Sequence, residues 1–228
     1  MLPTLPEEGS ARAKETAGRG SHDAVIFDFG GVLTSPLIEA LDGFASETGI
    51  ELQDVVRAAL GAYAGLEDQL VTDFEIGRIG EKEFSERFAA RLESLTGRAV
   101  APEGLVARMF RLRLEETMFG AVARLRRAGI KTALVSNAWG EGLYPRARLE
   151  AIFDAVLLSN EVGLRKPDPD LFRLAAQRLN VAPGRCIVVD DHPGHLEVAA
   201  REGMTPVLHV SPQRSIDELE ELLAIGLT

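Results

Sequence analysis

Along the chain the spacing of apolar positions changes three times, and the changes divide it into segments. The first 22 residues, rich in Pro, Gly, Ser, Glu, Arg and Lys, carry no apolar periodicity. They lack the buried surface that offsets the entropy of ordering and are expected to form a mobile tail. Ala24-Val25-Ile26-Phe27 is then an unbroken apolar run that stops on Asp28, with Gly30 and Gly31 close behind. An apolar run closed by turn residues predicts a buried strand with Asp28 at its carboxyl end. From 37 to 116 the spacing is helical. Leu37, Leu41 and Phe44 form one stripe, Leu52, Val55, Val56, Ala59, Leu60 and Tyr63 a second, Phe84, Phe88, Leu92 and Leu95 a third, and Leu105, Val106, Met109 and Phe110 a fourth. Four helices without a strand are too long for a simple crossover and suffice for a small bundle of their own.

Beyond residue 117 strand and helix alternate. Met118, Val122 and Leu125 mark a helix that stops at Gly129, and Thr132 to Val135 is a strand ending in Ser136-Asn137. A helical piece closed by Ile152 and Phe153 precedes the strand Ala155 to Leu158. Asp168-Pro169 has the form of an N-cap with proline in the first turn, opening a helix with Leu171, Ala175 and Leu179 on one side. Cys186 to Val189 is a strand ending in Asp190-Asp191. A helix through Val198 to Ala200, a strand over Pro206 to Val210 and a helix carrying Leu219, Leu222 and Leu223 follow. This alternation implies an α/β fold with a parallel sheet and right-handed crossovers. The expected division is a tail over 1–22, an α/β core from 23–36 and 117–228, and a helical insert over 37–116.

Composition narrows the function classes. At 228 residues and 46% hydrophobic the chain can bury a sizeable core, and its formal charge of -10 argues against a nucleic-acid or anionic-membrane surface. An anionic small ligand would therefore need local positive charge or a metal. Cys186 is the single cysteine, which excludes an intrachain disulfide and reads as a small core residue. No stretch approaches the roughly 18 apolar residues of a membrane span, and the first residues lack a secretory signal's apolar core. A cytoplasmic protein, monomer or homodimer, is expected.

In a parallel sheet all carboxyl ends lie on one edge, where ligands bind. Asp28, Ser136-Asn137, the loop carrying Lys166, and Asp190-Asp191 should therefore converge although most of the chain separates them. Phe27-Asp28-Phe29-Gly30-Gly31-Val32-Leu33, Val135-Ser136-Asn137, Gly163-Leu164-Arg165-Lys166-Pro167-Asp168-Pro169 and Val189-Asp190-Asp191 resemble the four motifs of the haloacid dehalogenase superfamily of hydrolases. The resemblance covers about residue 23 to the end and is closest to the subgroup with a helical cap inserted after the first strand. It implies a three-layer Rossmann-like parallel sheet core with an inserted α-helical cap, and a magnesium-dependent, phosphatase-like site with Asp28 as nucleophile. It also implies that the backbone carbonyl of Gly30 reaches the metal.

The residue chemistry agrees with that implication. A carboxylate can attack phosphorus and split hydrolysis into two displacements. Mg²⁺ prefers a few carboxylates together with water and substrate phosphate, which suits Asp28, Asp191 and Asp190. Ser136 offers a hydroxyl, Asn137 a backbone amide and Lys166 a fixed positive charge to phosphoryl oxygens. Phe74-Glu75-Ile76-Gly77-Arg78-Ile79 resembles the cap tip that faces the active site in relatives, which makes Glu75 and Arg78 candidate substrate contacts. Trp139 is a candidate pocket wall or a packed core residue.

Two positions depart from the family pattern. Phosphatases of the superfamily usually carry a second Asp two residues after the nucleophile as general acid and base, and here that position is Gly30. Loss of such a group typically costs ~10²–10⁴-fold in rate. His195 stands where an Asn is common, and reads equally as a surface helix residue or as a group orienting the site. The leading expectation is a magnesium-dependent hydrolase of small phosphate monoesters acting on a phosphorylated metabolite, with a sugar phosphate or a nucleotide as the candidate substrates. The alternatives are 2-haloacid dehalogenase chemistry, which needs neither the second acid nor a metal, and a regulatory module that binds phosphate with little turnover.

Overall fold

The computed structural model describes residues 21–60 and 68–227. The tail expected over 1–22 lies outside the described residues up to position 20, as does Tyr63 of the second helical stripe. His22, assigned to the tail, is in fact buried, and its Nε2 lies 2.8 Å from Thr205 Oγ1.

Five strands form one parallel sheet: β1 (Ala24–Phe27), β2 (Lys131–Ser136), β3 (Ala155–Leu158), β4 (Cys186–Asp190) and β5 (Thr205–Leu208), in the order β3-β2-β1-β4-β5. The inner strands β1 and β4 are buried along their whole length because both faces are covered, whereas the edge strand β5 buries fully only Val207. Val25 and Phe27 point to one face, where they pack with Met118, Val122 and Leu125 of α6 (Glu116–Arg127) and with Leu219 and Leu223 of α11 (Pro212–Leu223). Ala24 and Ile26 point to the other, against Leu171, Ala175 and Leu179 of α9 (Pro169–Leu179) and Leu196 and Ala199 of α10 (Pro193–Arg201). The result is a helix-sheet-helix sandwich. Asp168 caps α9 as its sequence predicts, accepting a hydrogen bond from the Asp170 amide at 2.9 Å.

Between β1 and β2 run α1 (Leu37–Thr48), α2 (Leu52–Leu60), α3 (Gln69–Glu75), α4 (Glu81–Thr96) and α5 (Leu105–Met109). They share a core of their own, built on Leu41, Phe44, Val55, Phe84, Phe88, Leu92 and Val106. The apolar stripes anticipate four of these helices. The third stripe runs one residue too far, for Leu95 is 50% exposed. Helix α3 is not anticipated, because its seven residues are too few to display a period; it is started by Asp68, whose carboxylate accepts from the Val71 amide at 3.2 Å. Trp139, from the loop after β2, joins this second core and meets the rings of Phe74, Phe84 and Phe110.

Strand order and register position the site. The chain runs outward from β1 through β2 to β3, then returns to the opposite side of β1 to place β4 and β5. The sheet therefore reverses direction at the β1–β4 boundary, where a crevice opens at the carboxyl edge. Phe27 pairs with Val189 on one side and Leu134 on the other, so Asp28 and Asp190 come level while Ser136 lies one residue further out.

Candidate active site

Asp28 follows the last residue of the central strand, and its amide donates to the Val189 carbonyl at 2.9 Å, extending the ladder by one bond. Its carboxylate is fixed by two donors: the Phe29 amide at 2.5 Å to Oδ1 and Lys166 Nζ at 2.7 Å to Oδ2. The Lys166 side chain is 1% exposed and also lies 2.7 Å from Asp190 Oδ2. A buried ammonium is thereby held between two carboxylates that reach it from adjacent strands. Burial opposes the lysine's charge, but Asp190 and Asp28 outweigh it and hold the group protonated above its ordinary value.

Lys166 sits in a loop, and Asn137 holds the loop in place. The Asn137 side chain accepts from the Lys166 amide at 2.7 Å and donates to the Lys166 carbonyl at 3.0 Å. That side chain is thus engaged in shaping the loop. Ser136 Oγ lies 3.0 Å from the hydroxyl of Tyr144, a residue that no sequence signal singled out. Burial keeps the Tyr144 phenol well above its usual value, so it is a neutral partner to the serine.

The two acids after β4 have different surroundings. Asp190 Oδ1 accepts from the His192 amide at 2.8 Å and lies 3.0 Å from His195 Nδ1, while Oδ2 takes the lysine. Both its oxygens are engaged. Although burial pushes its carboxyl up, Lys166 and His195 hold it well below the usual carboxylate range, and it stays ionised. His195 is buried at 4% exposure, which makes it an orienting partner of Asp190 and not a surface helix residue. Asp191 packs against the first loop: a Cβ placed on Gly31, whose φ is 74°, would lie 2.2 Å from Asp191 Oδ2. Only glycine accommodates both that left-handed backbone and that approach. The loop is closed by Thr34, whose buried Oγ1 accepts from the Gly31 amide at 3.1 Å.

The cluster carries three carboxylates and one lysine. Burial, with Asp190 and Asp191 adding to it and Lys166 opposing, pushes the Asp28 carboxyl up to about 7. Burial and Asp190 push Asp191 up to about 6. Hard oxygen donors in excess of local positive charge are the donor set that suits a divalent cation of the magnesium type. Asp28, Asp190 and His195 each bring a potential ligand atom within 4.8 Å of the others. Asp28, Gly30, Ser136, Asn137, Lys166 and Asp191 all line one cavity of about 250 Å³.

Glu75 and Arg78 do not line that cavity. Glu75 is fully buried and pairs with Arg165 at 2.5 Å, while Arg78 is 65% exposed in its side chain and pairs with Asp73. Around Glu75 the tip of α3 docks on the α/β core. The Ser159 hydroxyl donates to the Glu75 carbonyl and accepts from the Ala138 amide at 2.7 Å, and a Cβ on Gly77 would meet the Asn160 carbonyl oxygen at 2.5 Å. The expectation that Glu75 and Arg78 face substrate is corrected. The sequence puts two charges at a helix turn, and only packing decides that one pairs with the half-buried Arg165 and the other with Asp73 at the surface.

Residues 22–203 match the haloacid dehalogenase-like hydrolase family. The chain belongs to this family. Among its relatives, acyl-CoA dehydrogenase family member 10 of Mus musculus is 32% identical over 236 residues, which cover 99% of this chain and 21% of the mouse protein. The chain thus spans about a fifth of that relative's length. A phosphatase of Mycobacterium tuberculosis is 30% identical over 82% of this chain and 87% of its own. The haloacid dehalogenase fold is shared with an enzyme of Bacteroides thetaiotaomicron solved with magnesium and inorganic phosphate. That structure has a TM-score of 0.57 and 20% identity, covering 82% of this chain and 93% of the other. Among the described residues no helix is long and apolar enough to cross a membrane.

Proposed function

We propose that this haloacid dehalogenase-like hydrolase cleaves small phosphate monoesters with the help of Mg²⁺, passing the phosphoryl group through Asp28. The observation that carries the reading is the arrangement of Asp28, Lys166 and Asp190, in which one buried ammonium stands 2.7 Å from each carboxylate at the mouth of the sheet crevice. Asp28 attacks phosphorus, the ester P–O bond breaks, and the leaving alkoxide takes a proton from water. A second water then attacks the acyl phosphate, releasing inorganic phosphate and restoring the carboxylate. Lys166, the Ser136 hydroxyl and the Asn137 amide hold the phosphoryl oxygens.

Asp28, Asp191 and the Gly30 carbonyl would hold the metal, which when bound neutralises charge on the transferring phosphoryl group. Asp190, with both oxygens engaged, fixes Lys166 and His195 behind them. Dehalogenase chemistry would leave Asp191 without a task beside a nucleophile whose ionisation it opposes. Gly30 brings no acid to the leaving group, so turnover is expected to be slow on alkyl esters.

The test is phosphate release across a panel of phosphate esters, with Mg²⁺ and with EDTA, using Asp28→Asn as the blank. Release that needs both Asp28 and Mg²⁺ is expected. Wild type indistinguishable from the blank on every compound would transfer the site to a binding role, and chloride release from 2-chloropropionate without metal would transfer it to dehalogenation.

A further inference from the structure

Among the described residues, the cavity over Asp28 carries its charged groups at the floor, and the polar atom its wall side chains add is the indole nitrogen of Trp139. Its walls are Leu37 of α1, Leu60 of α2, Phe110 and Leu112 after α5, and Trp139 and Leu143 after β2. Among the described residues, the charged or imidazole side chains lining it are Asp28, Lys166, Asp191, His192 and His195, all belonging to the floor. Leu37 lies against Gly30, for a Cβ placed there would meet its Cδ2 at 3.1 Å. Where related phosphatases are expected to carry a second acid, this chain therefore has a glycine facing a leucine.

From this arrangement we infer that the substrate's organic part is apolar, an alkyl or aryl phosphate and not a sugar or polyol phosphate. The inference rests on the phosphatase reading for the phosphate end and on the cavity walls for the rest. A polyol phosphate seated on Lys166 would bury hydroxyls against leucine and aromatic side chains, and each hydroxyl left without a partner costs about tenfold or more in binding. An alkyl chain loses nothing there and gains about fourfold for each methylene removed from water. The apolar wall comes chiefly from the inserted helices, so the segment between β1 and β2 sets the substrate class while the strand ends set the chemistry.

The experiment is a ladder of ethyl, propyl, butyl and hexyl phosphates and benzyl phosphate, set against glycerol phosphate and ribose 5-phosphate, with Mg²⁺ throughout. The expected result is a kcat/KM that climbs about fourfold per methylene and polyol phosphates about tenfold or more below alkyl phosphates of similar size. A flat ladder, or polyol phosphates turned over as well as their alkyl counterparts, overturns the inference. Should no ester release phosphate, including p-nitrophenyl phosphate, the phosphatase reading fails, and binding then decides the inference separately. Trp139 is the only tryptophan in the chain and forms part of the wall, so its fluorescence reports occupancy. Alkylphosphonate affinity that rises with chain length sustains an apolar specificity without turnover, and affinity equal to that of inorganic phosphate at every length rejects it.

Discussion

Replacing Gly31 by alanine tests the packing that ties the first loop to Asp191. At a φ of 74° an L-residue pays about 1–2 kcal/mol against glycine. The new methyl would start 2.2 Å from Asp191 Oδ2 and 2.9 Å from its Cγ. Ordinary non-bonded contact begins near about 3.5 Å, so the carboxylate has to retreat by about an ångström or the loop has to move. The backbone cost alone corresponds to a fall in Tm of about 2–8 °C for a chain of this size. The displaced carboxylate is read separately, as Mg²⁺ affinity weaker by about 10–100-fold, the range found when groups supporting a metal are disturbed. Calorimetric titration with Mg²⁺ and thermal melts of both proteins in EDTA measure the two effects. A variant with wild-type Tm and wild-type Mg²⁺ affinity would refute the packing argument, and one that is destabilised but binds Mg²⁺ normally would remove Asp191 from the metal site.

Glu75→Gln is expected to cost about 3 kcal/mol in denaturant unfolding, the low end for breaking a buried pair because Arg165 keeps 18% exposure; an altered KM at unchanged stability would return Glu75 to substrate contact. In the metal-free protein Asp28 and Asp191 have carboxyl groups pushed up to about 7 and about 6, so the folded state holds more protons than the unfolded one above the ordinary value of 3.8. Their contribution to stability is complete below that value and is lost as pH rises through 6 and 7. The Tm increment from Mg²⁺ should therefore be larger at pH 7.5 than at pH 5.5, and equal increments would contradict the assignment. Gly30→Asp, with Leu37 yielding at the end of its side chain, should raise turnover of alkyl phosphates about tenfold or more. It should leave p-nitrophenyl phosphate, whose leaving group needs no proton, nearly unchanged. Gly43→Ala, at an exposed turn of α1 with open space around its Cβ, should stabilise the fold by about 0.5–1 kcal/mol and leave Mg²⁺ binding alone.

The first four strands and the Asp168 cap could be read from the residues alone, because each depends on local chemistry, whereas the last strand, expected over Pro206 to Val210, runs over Thr205–Leu208. An apolar run buried on both faces has one stable form, and a carboxylate at its end is carried to the sheet edge by any parallel arrangement. The same logic anticipates Lys166 and Ser136 beside Asp28. Long-range pairing is what no local pattern encodes. Asp190 and Asp191 are neighbours of identical chemistry, yet the first is locked to Lys166, His192 and His195 while the second rests on Gly31. Glu75, read as a substrate contact, meets Arg165 ninety residues later. Tyr144 enters the site because the turn after β2 folds back onto Ser136. These partners are set by which elements pack together, and burial then decides the charge each group carries and the polarity of the wall above it.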